Sequence, residues 1–261
     1  MNQFKLACHT ITFGENQKED LDAVFGAIAA AGYEGLEIGI RHIQETPPAE
    51  LRGILDKHSL HMVATHIGGN LADRAQADSE SQLLDTILDY LQVTGSKFLM
   101  YSGLKDPAPD QVFSEIEMLN WAAKRSKKRG VQLLYHNHHW EFFDRDGSTI
   151  WEAFIKNASP ELKLCPDLAW LHKAGVDLIE FLETYQNRIG VIHFKDFATL
   201  NPDLTDTVFL GEGCVPIDQA AAWIKNNMSD IWLISEQDFS DVAPEEAISV
   251  NGKFFRKTFG A

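Results

Sequence analysis

Cysteine is scarce in this 261-residue chain, which has only Cys8, Cys165 and Cys214. An odd, scattered set builds no disulfide framework and fits a reducing compartment. Positive charge is short as well: 23 Lys and Arg stand against 38 Asp and Glu, a formal net charge of −15. A field of that sign repels nucleic acid and anionic membranes, so neither is an expected partner. No apolar run approaches the roughly 20 residues that span a bilayer, and Met1-Asn2-Gln3-Phe4-Lys5 lacks an apolar leader core. Linker-like stretches and low-complexity tracts are missing too. What is present is 44% apolar residues, including sixteen Phe, ample for a packed core. The expectation is a soluble, cytoplasmic protein forming one domain over residues 1–261.

Eight short apolar runs punctuate the chain, at 4–11, 35–40, 62–67, 98–101, 131–135, 162–165, 190–194 and 231–235. Their starts recur roughly every 30 residues, the size of one strand–helix unit. Between them lie segments with helical spacing, such as Leu21-Val24-Phe25-Ile28 before Gly32, Leu83-Leu84-Ile87-Leu88-Leu91 and Val112-Phe113-Ile116-Leu119-Trp121. Residues 176–185 and 218–224 supply two more. Continuously apolar strands are buried on both faces. Eight of them alternating with helices predict an α/β fold, a single (β/α)8 TIM barrel. An open doubly wound sheet would show a glycine fingerprint after its first strand, and Cys8-His9-Thr10-Ile11-Thr12-Phe13-Gly14 has none.

Polar residues gather at the predicted strand ends: His9, Glu37, His66, Tyr101, the His136-Asn137-His138-His139-Trp140-Glu141 cluster, Asp167, His193 with Lys195, and Glu236 with Asp238. One strand-end histidine is unremarkable as a structural residue. Nearly every strand shows the pattern, however, and in a barrel those ends converge on one mouth. Carboxylates with imidazoles and no nearby thiolate make an N/O donor set. It suits one divalent ion, Mn²⁺ first, with Mg²⁺, Co²⁺ or Zn²⁺ as alternatives, leaving positions open for substrate.

On His136-Asn137-His138-His139-Trp140-Glu141-Phe142, Asp167-Leu168-Ala169-Trp170, Lys173-Ala174-Gly175-Val176-Asp177, His193-Phe194-Lys195-Asp196, Leu210-Gly211-Glu212-Gly213 and Glu236-Gln237-Asp238, the chain resembles the xylose-isomerase-like barrels. That group contains sugar isomerases, epimerases and inosose dehydratases. The resemblance implies a divalent metal held by Asp167, His193 and Glu236 with a fourth ligand from the fifth strand. Glu141 folding back onto the metal is the expected fourth ligand, and His136 or His138 the alternative. It further implies catalytic roles for Glu141, Glu236, His138, His136 and Lys195. Substrate contacts are expected from His66 (followed by Gly68-Gly69), Glu37, Trp170, Tyr101 and His9.

The reaction so implied is isomerisation or epimerisation of a sugar or polyol-derived ketose through an enediolate. Dehydration or lysis of an inosose or 3-keto-glycoside is the alternative at the same site. A non-catalytic sugar-binding barrel and an AP endonuclease are further options, the latter opposed by the acidic charge. The loops at 197–209 and 239–246 contain Asp203, Asp206, Asp241, Glu245 and Glu246 but no Lys or Arg, so an unphosphorylated small-molecule substrate is expected. A homo-oligomer is compatible with this pattern.

Overall fold

The computed structural model describes residues 4–67, 74–105 and 107–260. Eight parallel strands form the barrel: β1 (Lys5–His9), β2 (Gly35–Gly39), β3 (His61–His66), β4 (Phe98–Ser102), β5 (Gln132–His136), β6 (Lys163–Cys165), β7 (Val191–Phe194) and β10 (Trp232–Ser235). A two-residue antiparallel hairpin, β8 (Asp196–Phe197) with β9 (Thr207–Val208), rises from the loop after β7. The expected (β/α)8 architecture is therefore the one observed.

Hydrogen-bonded neighbours run β6-β5-β4-β3-β2-β1-β10-β7. Between β6 and β7 the ladder shrinks to two parallel bridges, Leu164 with Ile189 and Asp167 with His193. The cause lies in the chain: β6 has three residues and is followed by Pro166, which has no N–H to donate. The seam still closes, because the His193 amide donates to the Pro166 carbonyl at 2.9 Å.

Outside the strands pack α1 (Leu21–Ala30), α2 (Pro48–Lys57), α3 (Ala77–Thr94), α4 (Pro109–Lys128), α5 (Ile150–Asn157), α6 (Leu168–Lys173), α7 (Leu178–Tyr185), α8 (Ile217–Asn227) and α9 (Pro244–Phe259). Pro48 and Pro109 stand at the start of their helices, where the missing N–H is no loss. Alternation along each strand sorts the side chains into two layers. Leu6, Leu36, Ile38, Leu99, Tyr101, Leu133, Tyr135, Leu164, Ile192 and Leu233 face the helices in the large core. Ala7, Ala64, Met100, Leu134, Cys165, Val191 and Ile234 face inward and fill the barrel. That plug makes a floor, and whatever faces inward above it meets the mouth. Among the described residues no helix is long and apolar enough to cross a membrane.

Candidate functional site

Above the apolar floor, each barrel strand or the residue just past it sends one polar side chain inward. In chain order these are His9, Glu37, His66, Ser102, His136, Asp167, His193 and Glu236. Six are buried, and His66 and Ser102 are half-buried at the rim. So many ionisable groups lose water only where they satisfy one another or a ligand.

Four of them face a common point. One ligand atom from each of His136, Asp167, His193 and Glu236 lies within 4.8 Å of all the others. Each is aimed by a second contact. Asp167 caps α6, its Oδ1 accepting from the Ala169 and Trp170 amides at 2.9 and 3.0 Å. Its Oδ2 is buried with no hydrogen-bond partner. His136 has Nδ1 3.5 Å from Ser102 Oγ, while its Nε2 is buried without a partner, 3.6 Å from Asp167 Oδ2 and 3.9 Å from Glu236 Oε2. An acceptor oxygen and a ring nitrogen orphaned side by side cost free energy unless something binds both. A divalent cation fits that requirement, and two imidazoles with two carboxylates suit Mn²⁺, Co²⁺ or Zn²⁺ better than Mg²⁺.

Glu37 has a different part. It is fully buried and receives three imidazoles: His193 Nε2 at 2.8 Å, His66 Nδ1 at 3.0 Å and His9 Nε2 at 3.4 Å. With Nε2 on Glu37, His193 turns Nδ1 toward Glu236 Oε2, 2.5 Å away. A carboxylate that holds the far nitrogen of a ligand histidine fixes its tautomer and orientation. Burial works to raise the Glu37 carboxyl, but His193, His9 and His66 hold it well below the usual range. His9 Nδ1 accepts from the Ile11 amide at 2.9 Å. The neutral ring therefore carries its proton on Nε2 and has no lone pair toward Glu37. His9, Glu37 and His66 also lie within reach of a common ion, yet that tautomer leaves His9 no free lone pair to offer one.

Lys195 stands beside the four, with Nζ 2.9 Å from Glu236 Oε1, 2.8 Å from Asp238 Oδ2 and 3.7 Å from Asp167 Oδ2. Burial pulls its charge down, and Asp238, Glu236 and Asp167 more than reverse that, so it stays protonated. His138 is the opposite case. Burial first, then His136 and Lys195, push it well below the ordinary imidazole range, leaving a neutral ring. Glu236, His66, His136, His138, Trp170, Lys195 and His9 all line a chamber of about 310 Å³ at the mouth.

Two expected site residues lie elsewhere. Tyr101 faces the helices, its hydroxyl donating to Glu115 Oε1 at 2.7 Å; alternation sends Ser102, not Tyr101, inward. Glu141 is outside the group of four. Its Oε2 accepts from the His138 amide at 3.0 Å, and its Oε1 pairs with the Tyr135 hydroxyl at 3.3 Å. Tyr135 and His136 are neighbours on one strand and point to opposite faces, so a carboxylate docked on Tyr135 is behind the strand that presents His136. The inward nitrogen is thus His136, and Glu141 steadies the turn that carries His138. Gly68 and Gly69 lie outside the described residues. Ser102 and Asp238 complete the site; strand alternation points to the first, and the Glu236-Gln237-Asp238 spacing to the second.

Burial raises the Glu141 carboxyl from 4.5 to about 8. The unfolded chain gives up this proton near 4.5 while the folded chain keeps it, so stability falls as pH rises between the two values. Glu141→Gln, which keeps an acceptor for the His138 amide and offers N–H to Tyr135, removes that fall. It is expected to match the parent near pH 4.5 and to exceed it by a few kcal/mol at pH 8. Thermal melts of both proteins across that interval check the widening gap; a constant difference contradicts it.

Comparison with known proteins bears on the family and the fold. A family described as xylose isomerase-like TIM barrel matches residues 25–258. An inosose dehydratase of Lacticaseibacillus casei is 25% identical over 248 residues, covering 83% of this chain and 82% of that one. An inosose dehydratase of Geobacillus kaustophilus (strain HTA426) is 25% identical over 193 residues, 67% of this chain, and the match spans 61% of that protein. Among solved structures, a sugar phosphate isomerase/epimerase from Parabacteroides distasonis ATCC 8503 superposes with a TM-score of 0.80 at 19% identity, covering 97% of this chain and 95% of that one. The IOLI protein, solved with a zinc atom, has a TM-score of 0.78 at 16% identity over 98% of both chains.

Proposed function

The chain belongs to the xylose isomerase-like TIM barrel family, and on that premise we propose that it is a divalent-metal-dependent isomerase or epimerase of an unphosphorylated sugar or polyol-derived ketose. The observation that carries this reading is the unpartnered pair Asp167 Oδ2 and His136 Nε2, 3.6 Å apart beside a buried ammonium. A divalent cation held by His136, Asp167, His193 and Glu236 would supply Lewis-acid polarisation of a carbonyl and its neighbouring hydroxyl. The residues around it divide the remaining work. His138, a neutral imidazole lining the chamber, accepts the proton from the carbon between those two oxygens. Lys195, fixed in its charged form, offsets the negative charge that develops on oxygen as the enediolate forms. His66, with Nδ1 held by Glu37, offers Nε2 to a hydroxyl of the ring. Trp170 walls the chamber against an apolar face of the sugar.

Return of the proton to the opposite face epimerises; its delivery to the adjacent carbon interconverts aldose and ketose. Incubation in D₂O with Mn²⁺ and a panel of ketoses tests the reading. Deuterium should enter at the α-carbon of at least one ketose and stop on chelation; exchange that persists in excess chelator contradicts it. The names of the dehydratase relatives favour a second reading, in which the same enediolate expels a β-oxygen as water. An inosose included in the panel separates the two, because dehydration yields a product lighter by one water.

A further inference from the structure

The inner chamber, about 310 Å³, is at the low end of small-molecule sites and has room for one sugar ring. It opens into an outer chamber of about 820 Å³. Ile11, Arg41, His138, Trp170 and Asp238 line both, so the two are continuous. A lone monosaccharide leaves the second chamber empty.

The outer wall is aromatic. Trp140, Phe143 and Phe239 line it, arriving from the loops after β5 and β10. Phe143 is 41% exposed and Phe239 66% exposed, and large apolar side chains gathered at the lip of a cavity mark a surface that a ligand covers. They are also held in place. Trp140 stacks on His138 with ring centroids 4.0 Å apart and 11° between planes. The Phe239 backbone is gripped at both ends by Thr207 of the β8–β9 hairpin: its amide donates to Thr207 Oγ1 at 3.0 Å, and its carbonyl accepts from that hydroxyl at 2.9 Å. A wall fixed before binding spends little entropy when a ligand arrives. Arg41 is paired with Glu15 at 2.8 Å and Asp238 with Lys195 at 2.8 Å, while Lys105 and Arg145 share the lining with Asp203.

We propose that the outer chamber is a subsite for an aromatic ring joined to the sugar ring of the inner chamber, so that the substrate class is an aryl glycoside bearing a carbonyl on its sugar. This rests on the inner chamber being a carbohydrate site. Isothermal titration of the Mn²⁺-supplemented protein with matched phenyl and methyl pyranosides, in the gluco, galacto and manno series, tests it. In at least one series the phenyl member should bind about tenfold or more tightly than its methyl counterpart, the increment of a buried apolar ring. Phe239→Ala, at an exposed position that the fold does not need, and Trp140→Ala should each cut that preference below about threefold. Equal affinities within every pair, failure of every phenyl member to bind, or a preference that survives both substitutions overturns the proposal. Deuterium exchange into ketoses by the unaltered protein reports on the reaction separately. Exchange without a phenyl preference removes the subsite alone, and a phenyl preference without exchange removes the reaction alone.

Discussion

Asp167→Asn is expected to lower divalent-metal affinity by more than about a hundredfold and turnover by about a thousandfold or more, with the fold intact. Asparagine keeps the cap on α6, because its carbonyl oxygen takes over from Oδ1 in accepting the Ala169 and Trp170 amides. What changes is the second atom. Oδ2, now facing His136 Nε2 at 3.6 Å and Lys195 Nζ at 3.7 Å, becomes an amide nitrogen whose hydrogens point at a cation's place. Removing one buried charged partner costs about 3–5 kcal/mol, and each 1.4 kcal/mol is about tenfold in affinity. Calorimetric titration with Mn²⁺ and a melting curve separate the two effects. Unchanged metal affinity in a folded variant contradicts the assignment, while Asp167→Ala, which also strips the cap, should lose about a further 1 kcal/mol of stability.

The second large effect concerns the buried ammonium. Lys195→Met preserves length and volume but leaves Glu236, Asp238 and Asp167 without their cation. Turnover should fall about 10²–10³-fold through kcat with little change in KM, since the charge is needed most when negative charge builds on the substrate. Stability should fall too, by several kcal/mol, because buried carboxylates lose compensation. Added Mn²⁺ should restore more melting temperature to this variant than to the parent, as a bound ion supplies positive charge to the same oxygens. Equal restoration in both proteins contradicts the shared electrostatics of Lys195 and the four ligands.

The barrel was readable because its signal is repeated. Each of the eight apolar runs overlaps an observed strand, although 62–67, 98–101 and 131–135 each miss one end residue of theirs and 4–11 overreaches β1, where the chain turns at Thr10 into a short 3₁₀ segment. Helices with sparse stripes gave less. In α2 only Leu51 and Leu55 are buried, too few to register as a period, and α6 begins at once after Asp167, which also serves as the strand-end acid. The site was legible wherever alternation alone decides the direction of a side chain, as at His193 and Lys195. Tyr101 and Glu141 are where residue type and strand direction disagree. Tyr101 is an attractive sugar contact by residue type, yet its place beside inward-facing Met100 turns it to the helices. Glu141 is the kind of carboxylate a hard cation favours, but it follows a turn whose geometry delivers it to Tyr135. The threefold use of Glu37 was not readable at all, because it depends on strands β1, β3 and β7 meeting on β2.

The central claim is that His136, Asp167, His193 and Glu236 hold one ion in common. Crystals grown with Mn²⁺ and measured at a wavelength where that metal scatters anomalously test it most directly. One strong peak is expected among His136 Nε2, Asp167 Oδ2, His193 Nδ1 and a Glu236 carboxylate oxygen, with Glu141 still on Tyr135. A peak coordinated by Glu141 in place of His136, or no peak among these four residues, would contradict it.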